Sequence, residues 1–286
     1  MQRSDFRFFH RLRVRWAEVD MQKIVFNAHY LMYFDTAIAD YWRALALPYE
    51  EAMHALGGDL YVRKATVDFR ASARMDDVLD AGMRCARIGT SSMVFEGGLF
   101  RQNEFLVGCE LVYVFADPAT QTSKPVPEAL RAILAGFEAG EPMSTVETGD
   151  WAALGEGAGA LRRAVFVDEQ KVPEALEWDE HDAVVPHAVV RNRLGQVIAT
   201  GRLLPAEDGC AKIGRVAVHR VLRSGGHGAS VMQALEAAAR ARGDTEIALH
   251  AQRSAERFYE RLGYTVHGEP FEEAGIAHIE MRRALR

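Results

Sequence analysis

The chain reads as a two-domain α+β protein, an antiparallel half built on one long helix followed by a mixed α/β half. Three observations predict this. The strand-like alternation at the start changes once to helical spacing and then returns to strand-like runs. After about residue 145 strands and helices intersperse in a different order, with no internal repeat linking the halves. Between them, Phe137–Thr145 lacks periodicity and carries Gly, Pro and acidic residues, the composition of a solvated linker. The domains are therefore expected at 1–136 and 146–286, joined by a linker over 137–145. A length of 286 residues is long for one domain and comfortable for two.

In the first half Leu12, Val14 and Trp16 alternate with Arg11, Arg13 and Arg15, which is strand periodicity. From Asn27 the apolar positions Leu31, Phe34, Ile38, Tyr41 and Leu45 recur at helical steps, with Asn27 expected as the cap. Strand-like runs follow over 66–69, 78–88, 92–100 and 105–115, separated by turns with Gly and Asp. An antiparallel sheet wrapped over the single helix buries both apolar faces. The second half opens with a helix through Leu161–Val167, then strands over 187–191, 197–204 and 212–218. A helix over 228–240, a strand over 246–250, a helix over 255–262 and closing strands complete it.

Bulk properties narrow the function. Hydrophobic content of 49% and charged content of 26% are those of a globular protein. A formal charge of −6 argues against nucleic acid as a partner. Cys85, Cys109 and Cys210 are odd in number and far apart, so neither a disulfide framework nor a metal site is predicted. The first residues lack the apolar core of a signal peptide. No apolar run reaches the roughly 18 residues of a membrane span. A reduced, cytoplasmic protein is expected.

The segment Gly214–Ser230 carries the sharpest chemical signal. An apolar strand, Val216-Ala217-Val218, runs into Arg223-Ser224-Gly225-Gly226-His227-Gly228-Ala229, and this loop opens a helix. A helix start presents backbone N–H groups without intrahelical partners, backed by the positive end of the helix dipole. Glycines let a phosphate approach them, so the loop reads as a diphosphate cradle. With Ala164–Gln170 and Phe258-Tyr259-Glu260-Arg261-Leu262-Gly263-Tyr264, the half from about Thr145 onward resembles the GNAT family of acetyltransferases, most closely its ElaA-like branch. The resemblance implies a GNAT fold with a splayed strand pair through which a thioester reaches its acceptor. It implies that Val216, Ala217 and Val218 pair with the pantetheine amides of acetyl-CoA. Arg223, Ser224, Gly225, Gly226, His227, Gly228 and Ala229 would hold its diphosphate, His227 by contact alone. Tyr259 would protonate or hydrogen-bond the departing thiolate, which a phenol does without permanent charge; the alternative is an aromatic packed beside Phe258. The cluster Glu177–Asp182 lies where the family's pattern admits a general base, but as a solvated charged loop it needs no function, and that is the reading taken here.

The segment Val14–Asp35 resembles the signature of hotdog-fold acyl-CoA thioesterases of the 4-hydroxybenzoyl-CoA thioesterase and YbgC-like branch, supported by Ala73-Arg74-Met75-Asp76-Asp77 and Pro125-Val126-Pro127. The strand–helix–strands order is the hotdog order, so the likeness spans about residues 6–135. By position Asp20 matches the catalytic carboxylate, which attacks the thioester carbonyl or deprotonates a water that does. The helix start near Phe26 and Asn27 supplies oxyanion donors. His29 reads as a substrate contact or as a core-edge histidine. Lys23 stands where the family usually has Gly, Phe26-Asn27 where YbgC-like enzymes have a Tyr-His pair, and His29 where they have Asn. The resemblance also implies a homodimer or homotetramer through the hotdog domain.

Together these readings predict a bifunctional enzyme, an acyl-CoA thioesterase and an N-acetyltransferase in one chain. Its substrates would be acyl-CoA or acetyl-CoA and an amine, with no metal, nucleic acid or membrane involved. Two rivals stand beside it. In one the second domain is a non-catalytic CoA-binding regulatory module; in the other the hotdog domain is an acyl-CoA-binding sensor.

Overall fold

The computed structural model describes residues 1–285. It resolves into two compact units, one of Met1–Met143 and one from Ser144 onward.

The first unit holds β1 (Phe8–Arg13), α1 (Asn27–Ala44), α2 (Tyr49–Leu56), β2 (Asp59–Phe69), β3 (Val78–Ile88), β4 (Ser92–Arg101), β5 (Glu104–Ala116) and α3 (Glu128–Ala139). The five strands form one antiparallel sheet in the order β1-β3-β4-β5-β2. α1 lies on this sheet and buries Tyr30, Tyr33, Phe34, Ala37, Ile38, Tyr41 and Trp42. Its seat is cut to size by Gly97 on β4, where a Cβ would stand 2.7 Å from the Phe34 ring and 2.5 Å from the Cys109 sulfur. The core is aromatic, Tyr41 meeting Phe95 and Phe137 edge-on at 5.6 and 5.1 Å.

Several local expectations change here. Leu31 is exposed; Tyr30 takes the core position one residue earlier. The N-cap of α1 is Phe26, with no side-chain cap, and Asn27 is the first helical residue. β2 begins at Asp59, opposite Ala116 of β5, rather than near Thr66; its residues are largely exposed and show no alternation, so the sequence does not signal its first half. α2 and α3 are additional short helices, each closed by a left-handed glycine, Gly57 and Gly140. The expected linker is mostly ordered secondary structure: 137–139 end α3 and 144–145 start a strand.

The second unit contains β6 (Ser144–Gly149), α4 (Trp151–Arg162), a π-helical stretch (Arg163–Glu169), α5 (Glu174–Glu177), β7 (His187–Asn192), β8 (Val197–Leu203) and β9 (Cys210–Val218). It continues with α6 (His227–Arg242), β10 (Glu246–Gln252), α7 (Glu256–Arg261), β11 (Thr265–Glu273) and β12 (Ile276–Ala284). The helix expected over Leu161–Val167 is thus the end of α4, which starts ten residues earlier, followed by the π-helical stretch. Seven strands form one sheet, β11-β12-β10-β9-β8-β7-β6. Neighbours are antiparallel except β9 and β10, which run parallel and pair only over Cys210–Lys212 and Glu246–Ala248. Beyond that point they diverge. On its other side β9 carries a bulge: Gly214 faces Arg202 and Ala217 faces Thr200, and Arg215 between them adopts φ +52°.

Candidate active sites

In the N-terminal unit, Asp20 sits on a tight loop leading into α1. The Asp20 N–H donates to the Ile24 carbonyl at 2.9 Å, and the Phe26 N–H to the Glu18 carbonyl at 2.9 Å. These bonds, with a Val19–Val25 bridge, place the carboxylate beside the chain that enters the helix. Asp20 Oδ1 accepts the Gln22 N–H at 2.8 Å, an Asx turn. Its other oxygen has no hydrogen-bond donor among the described residues. Lys23, at the turn, holds φ +61°, the left-handed region, which explains why glycine suits this position.

At the helix start the His29 N–H is used by the Phe26 carbonyl at 2.9 Å, so the open donors are Asn27 and Ala28. The Phe26 side chain is exposed and meets the half-buried His29 ring edge-on at 6.0 Å. The loop rests on a residue the sequence reading did not single out. Glu18 is 3% exposed and accepts the Arg15 N–H at 2.7 Å, Arg15 Nε at 2.6 Å and the Tyr33 hydroxyl at 2.7 Å. Burial works against its charge, yet these donors hold the carboxyl below the usual range. The Ala73–Asp77 segment is structural: the Ala73 N–H donates to the Tyr30 hydroxyl, and Asp77 accepts the Arg74 N–H and Arg101.

In the C-terminal unit the diverging β9 and β10 open the sheet as expected for a thioester channel. Ala217 and Val218 spend their register on β8, opposite Thr200 and Ala199. The opposite edge of β9 from Ile213 to Val218 has no strand beside it among the described residues. After a short helical turn at Arg220–Leu222, Ser224 and Gly226 take φ +71° and +86°, and Gly226 caps α6. The first helical bond is Ser230 N–H to the Gly226 carbonyl. The Gly226, His227, Gly228 and Ala229 N–H groups therefore precede the ladder, and a Cβ at Gly226 would meet nothing within 4 Å. At Gly228 a Cβ would stand 3.2 Å from Phe258, so this glycine serves packing.

Arg223 carries a carboxylate of the chain itself. Its guanidinium pairs with Glu169 at 2.6 and 2.7 Å and its Nε reaches the Val218 carbonyl at 3.3 Å, which ties the loop to the π-helical stretch. His227 is buried, and burial pushes its pKa down, so the ring beside the cradle stays neutral. Tyr259 packs against Phe258 and Tyr264 at ring distances of 4.9 and 6.0 Å. Its hydroxyl has no protein hydrogen-bond partner among the described residues, and burial pushes its pKa up to about 12. The phenol keeps its proton.

The 177–182 cluster is solvated only in its middle: Glu177 and Asp182 are buried, while Trp178, Asp179, Glu180 and His181 stay exposed. Arg162, 1% exposed, donates from Nε to Glu177 at 2.6 Å and from Nη1 and Nη2 to Asp182 at 2.6 and 2.9 Å. Arg202 bridges Asp179 and Asp182, and Arg215 at the bulge reaches Glu177 at 3.2 Å. Trp151 and Trp178 cover the Arg162 guanidinium at 5.3 and 4.9 Å. With Glu177 and Asp182 enclosed by arginines, the cluster is an anchor for the segment between the π-helical stretch and β7.

Comparison with known proteins agrees with this division. The family model described as "Thioesterase superfamily" matches residues 22–107, and the one described as "Acetyltransferase (GNAT) domain" matches residues 155–285. The uncharacterised N-acetyltransferase YjcF of Bacillus subtilis is 39% identical over 124 residues, 43% of this chain and 87% of YjcF. A crystallised acyl-CoA N-acyltransferase from Pseudomonas aeruginosa is 35% identical, covering 49% of this chain and 99% of its own, with a TM-score of 0.45. Slr0204 of Synechocystis, a 1,4-dihydroxy-2-naphthoyl-CoA thioesterase, covers 46% of this chain and 97% of its own at 15% identity and a TM-score of 0.42. The chain is a fusion of two families, each of which works on CoA thioesters. Its N-terminal unit belongs to the thioesterase superfamily and its C-terminal unit to the GNAT acetyltransferases. No helix is long and apolar enough to cross a membrane, and no group of metal-ligating side chains occurs among the described residues.

Proposed function

We propose that the chain is a bifunctional CoA-thioester enzyme, hydrolysing acyl-CoA in its N-terminal unit and transferring an acetyl or acyl group to an amine in its C-terminal unit. For hydrolysis the reading rests on the free Asp20 oxygen beside a helix start whose Asn27 and Ala28 N–H groups are open. Asp20 attacks the thioester carbonyl or activates the water that does, and the helix N–H groups take up the oxyanion charge. For transfer it rests on the gap between β9 and β10, with the glycine cradle leading out of β9 and a protonated Tyr259 available to the leaving thiolate. In this reading the first unit works as a homodimer or homotetramer, supported by the exposed Trp16, Met21 and Phe26 around its loop. A reducing, cytoplasmic setting agrees with three free cysteines.

The test is CoA release from short, long and aromatic acyl-CoAs by the full chain and by Asp20→Asn. Hydrolysis should fall by at least 100-fold in the variant, with acetyl-CoA binding retained by calorimetry. Full residual hydrolysis would remove Asp20 from the mechanism. Acetyl-CoA binding without transfer to any amine would reduce the second unit to a regulatory module.

A further inference from the structure

The acyl-transfer reading leaves one role unfilled, the group that removes the proton from the attacking amine. Lys212 and Ala248 form the last β9–β10 pair before the strands part. On β10, His250 lies two residues beyond Ala248, on the same face of the sheet as Lys212, at the mouth of the gap. Its side chain is 29% exposed. The ring is fixed on two sides. His250 Nδ1 lies 3.0 Å from Glu273 Oε2 on β11, and the Phe271 ring meets the imidazole edge-on at 4.7 Å.

Lys212 Nζ lies 3.3 Å from Nδ1 and 3.1 Å from Nε2. A donor aligned with the in-plane lone pair of one ring nitrogen would lie much farther from the other. Near-equal distances therefore put the ammonium over the ring face. Nδ1–H is given to the carboxylate, so the tautomer leaves a lone pair on Nε2. That lone pair has no in-plane partner among the described residues.

On the transferase reading of this unit, we infer that His250 is the general base, with Glu273 as its positioning residue. The amine nitrogen attacks the thioester carbonyl carbon, forming the C–N bond, and its excess proton passes to His250 Nε2. The C–S bond breaks, and the thiolate takes the Tyr259 hydroxyl proton to leave as the thiol. His250 loses its proton to solvent and Tyr259 regains one, so amine and thioester give amide and thiol. Lys212 lies against the ring face, and Glu273 and Phe271 fix the ring's orientation. The other charged groups facing this ring are few. Glu280 lies directly across on β12, itself paired with Arg282 at 2.6 Å and His267 at 3.3 Å. His278 is the next position on the same face, and Gln252 beside it is held by Gln170 at 2.8 Å. With Glu273 beside Lys212 and Glu280 paired with Arg282, the charges at the mouth are balanced, so charge alone sets no preference among primary amines.

The experiment uses the full chain with Asp20→Asn to silence hydrolysis. Acetyl-CoA is supplied with spermidine, benzylamine and a lysine-containing peptide, and the amide product is read by mass. With added His250→Gln, kcat/KM should fall by about 100-fold or more, the scale of general-base catalysis. The acid limb of the pH profile should disappear and acetyl-CoA affinity stay within twofold. His250→Ala should regain rate with added imidazole, and Glu273→Gln should lower the rate about tenfold while moving the acid limb. A His250→Gln chain that keeps both rate and acid limb, or a His250→Ala chain indifferent to imidazole, overturns the role of His250 alone. Failure of the unsubstituted site to acetylate any of the three amines while binding acetyl-CoA overturns the transferase reading, and His250 with it.

Discussion

Replacing Arg162 by Met tests whether the buried charge network anchors the C-terminal unit. The guanidinium is 1% exposed, makes four hydrogen bonds to Glu177 and Asp182, and sits between two indoles. Removing one partner of a buried ion pair costs about 3–5 kcal/mol, because the other charge is left without compensation. Here part of the compensation survives. Arg202 still meets Asp182 at 2.6 Å, and Arg215 still meets Glu177 at 3.2 Å. Burial already pushes the Glu177 carboxyl above its ordinary range, so it can take up a proton when Arg162 is lost. These effects put the expected loss near the lower end, about 3 kcal/mol. For a unit of this size that is a drop of roughly 10 °C in unfolding midpoint. Thermal unfolding followed by tryptophan fluorescence reads it, because Trp151 and Trp178 flank the substituted side chain. Arg163→Ala is the matched control: that exposed side chain pairs with the exposed Glu174, and the change should stay within about 0.5 kcal/mol. Arg162→Met combined with Glu177→Gln should cost less than the sum of the two by about 1 kcal/mol or more. If Arg162→Met costs no more than Arg163→Ala, or the pair is strictly additive, the network is not the anchor.

Three further outcomes follow from other parts of the molecule. Lys23→Gly relieves a left-handed residue and should stabilise the N-terminal unit by about 0.5–1 kcal/mol, read as a higher urea midpoint, net of the glycine's larger unfolded-state entropy. Gly97→Val drives side-chain atoms into Phe34, Met83 and Cys109 and should cost about 3 kcal/mol or prevent folding, read by chemical denaturation. Arg202 holds the Asp179 carboxyl down at about 2, below its ordinary value of 3.8; burial opposes this less strongly. A depressed carboxylate stabilises the fold above the unfolded value and loses that contribution as pH falls through the folded one. Asp179→Asn should therefore flatten the stability profile of the C-terminal unit between about pH 4 and pH 2.

The legible parts of this chain were those in which one stretch of sequence carries its own structural reason. The Gly225–Gly228 run and Val216–Val218 lie within a few residues of each other, and the apolar spacing of α1 needs no distant partner to be read. What escaped depends on contacts far apart in sequence. Glu18 looks like any surface acid until Tyr33 folds over it. Glu177 and Asp182 look like the solvated acids between them because Arg162 and Arg202, which enclose the pair, lie outside the cluster. His250 and Glu273 are separated by a helix and by most of a strand, and only the sheet order makes them neighbours. The edge strand β2 was underestimated for a different reason: solvent on both faces removes the alternation by which strands are recognised.

The parting of β9 and β10 gives the seven-stranded sheet a free edge in its interior. An outer edge is a hazard, since any extended chain can add to it and stacking can continue without limit. An inner edge is bounded on its far side by β10, so the slot admits a single extended arm and nothing that itself carries a further strand. On the proposed transferase reading, backbone hydrogen bonding there would select for thinness and length before any side chain is consulted, giving selective entry from a strand whose own residues, Val216, Ala217 and Val218, are chemically plain.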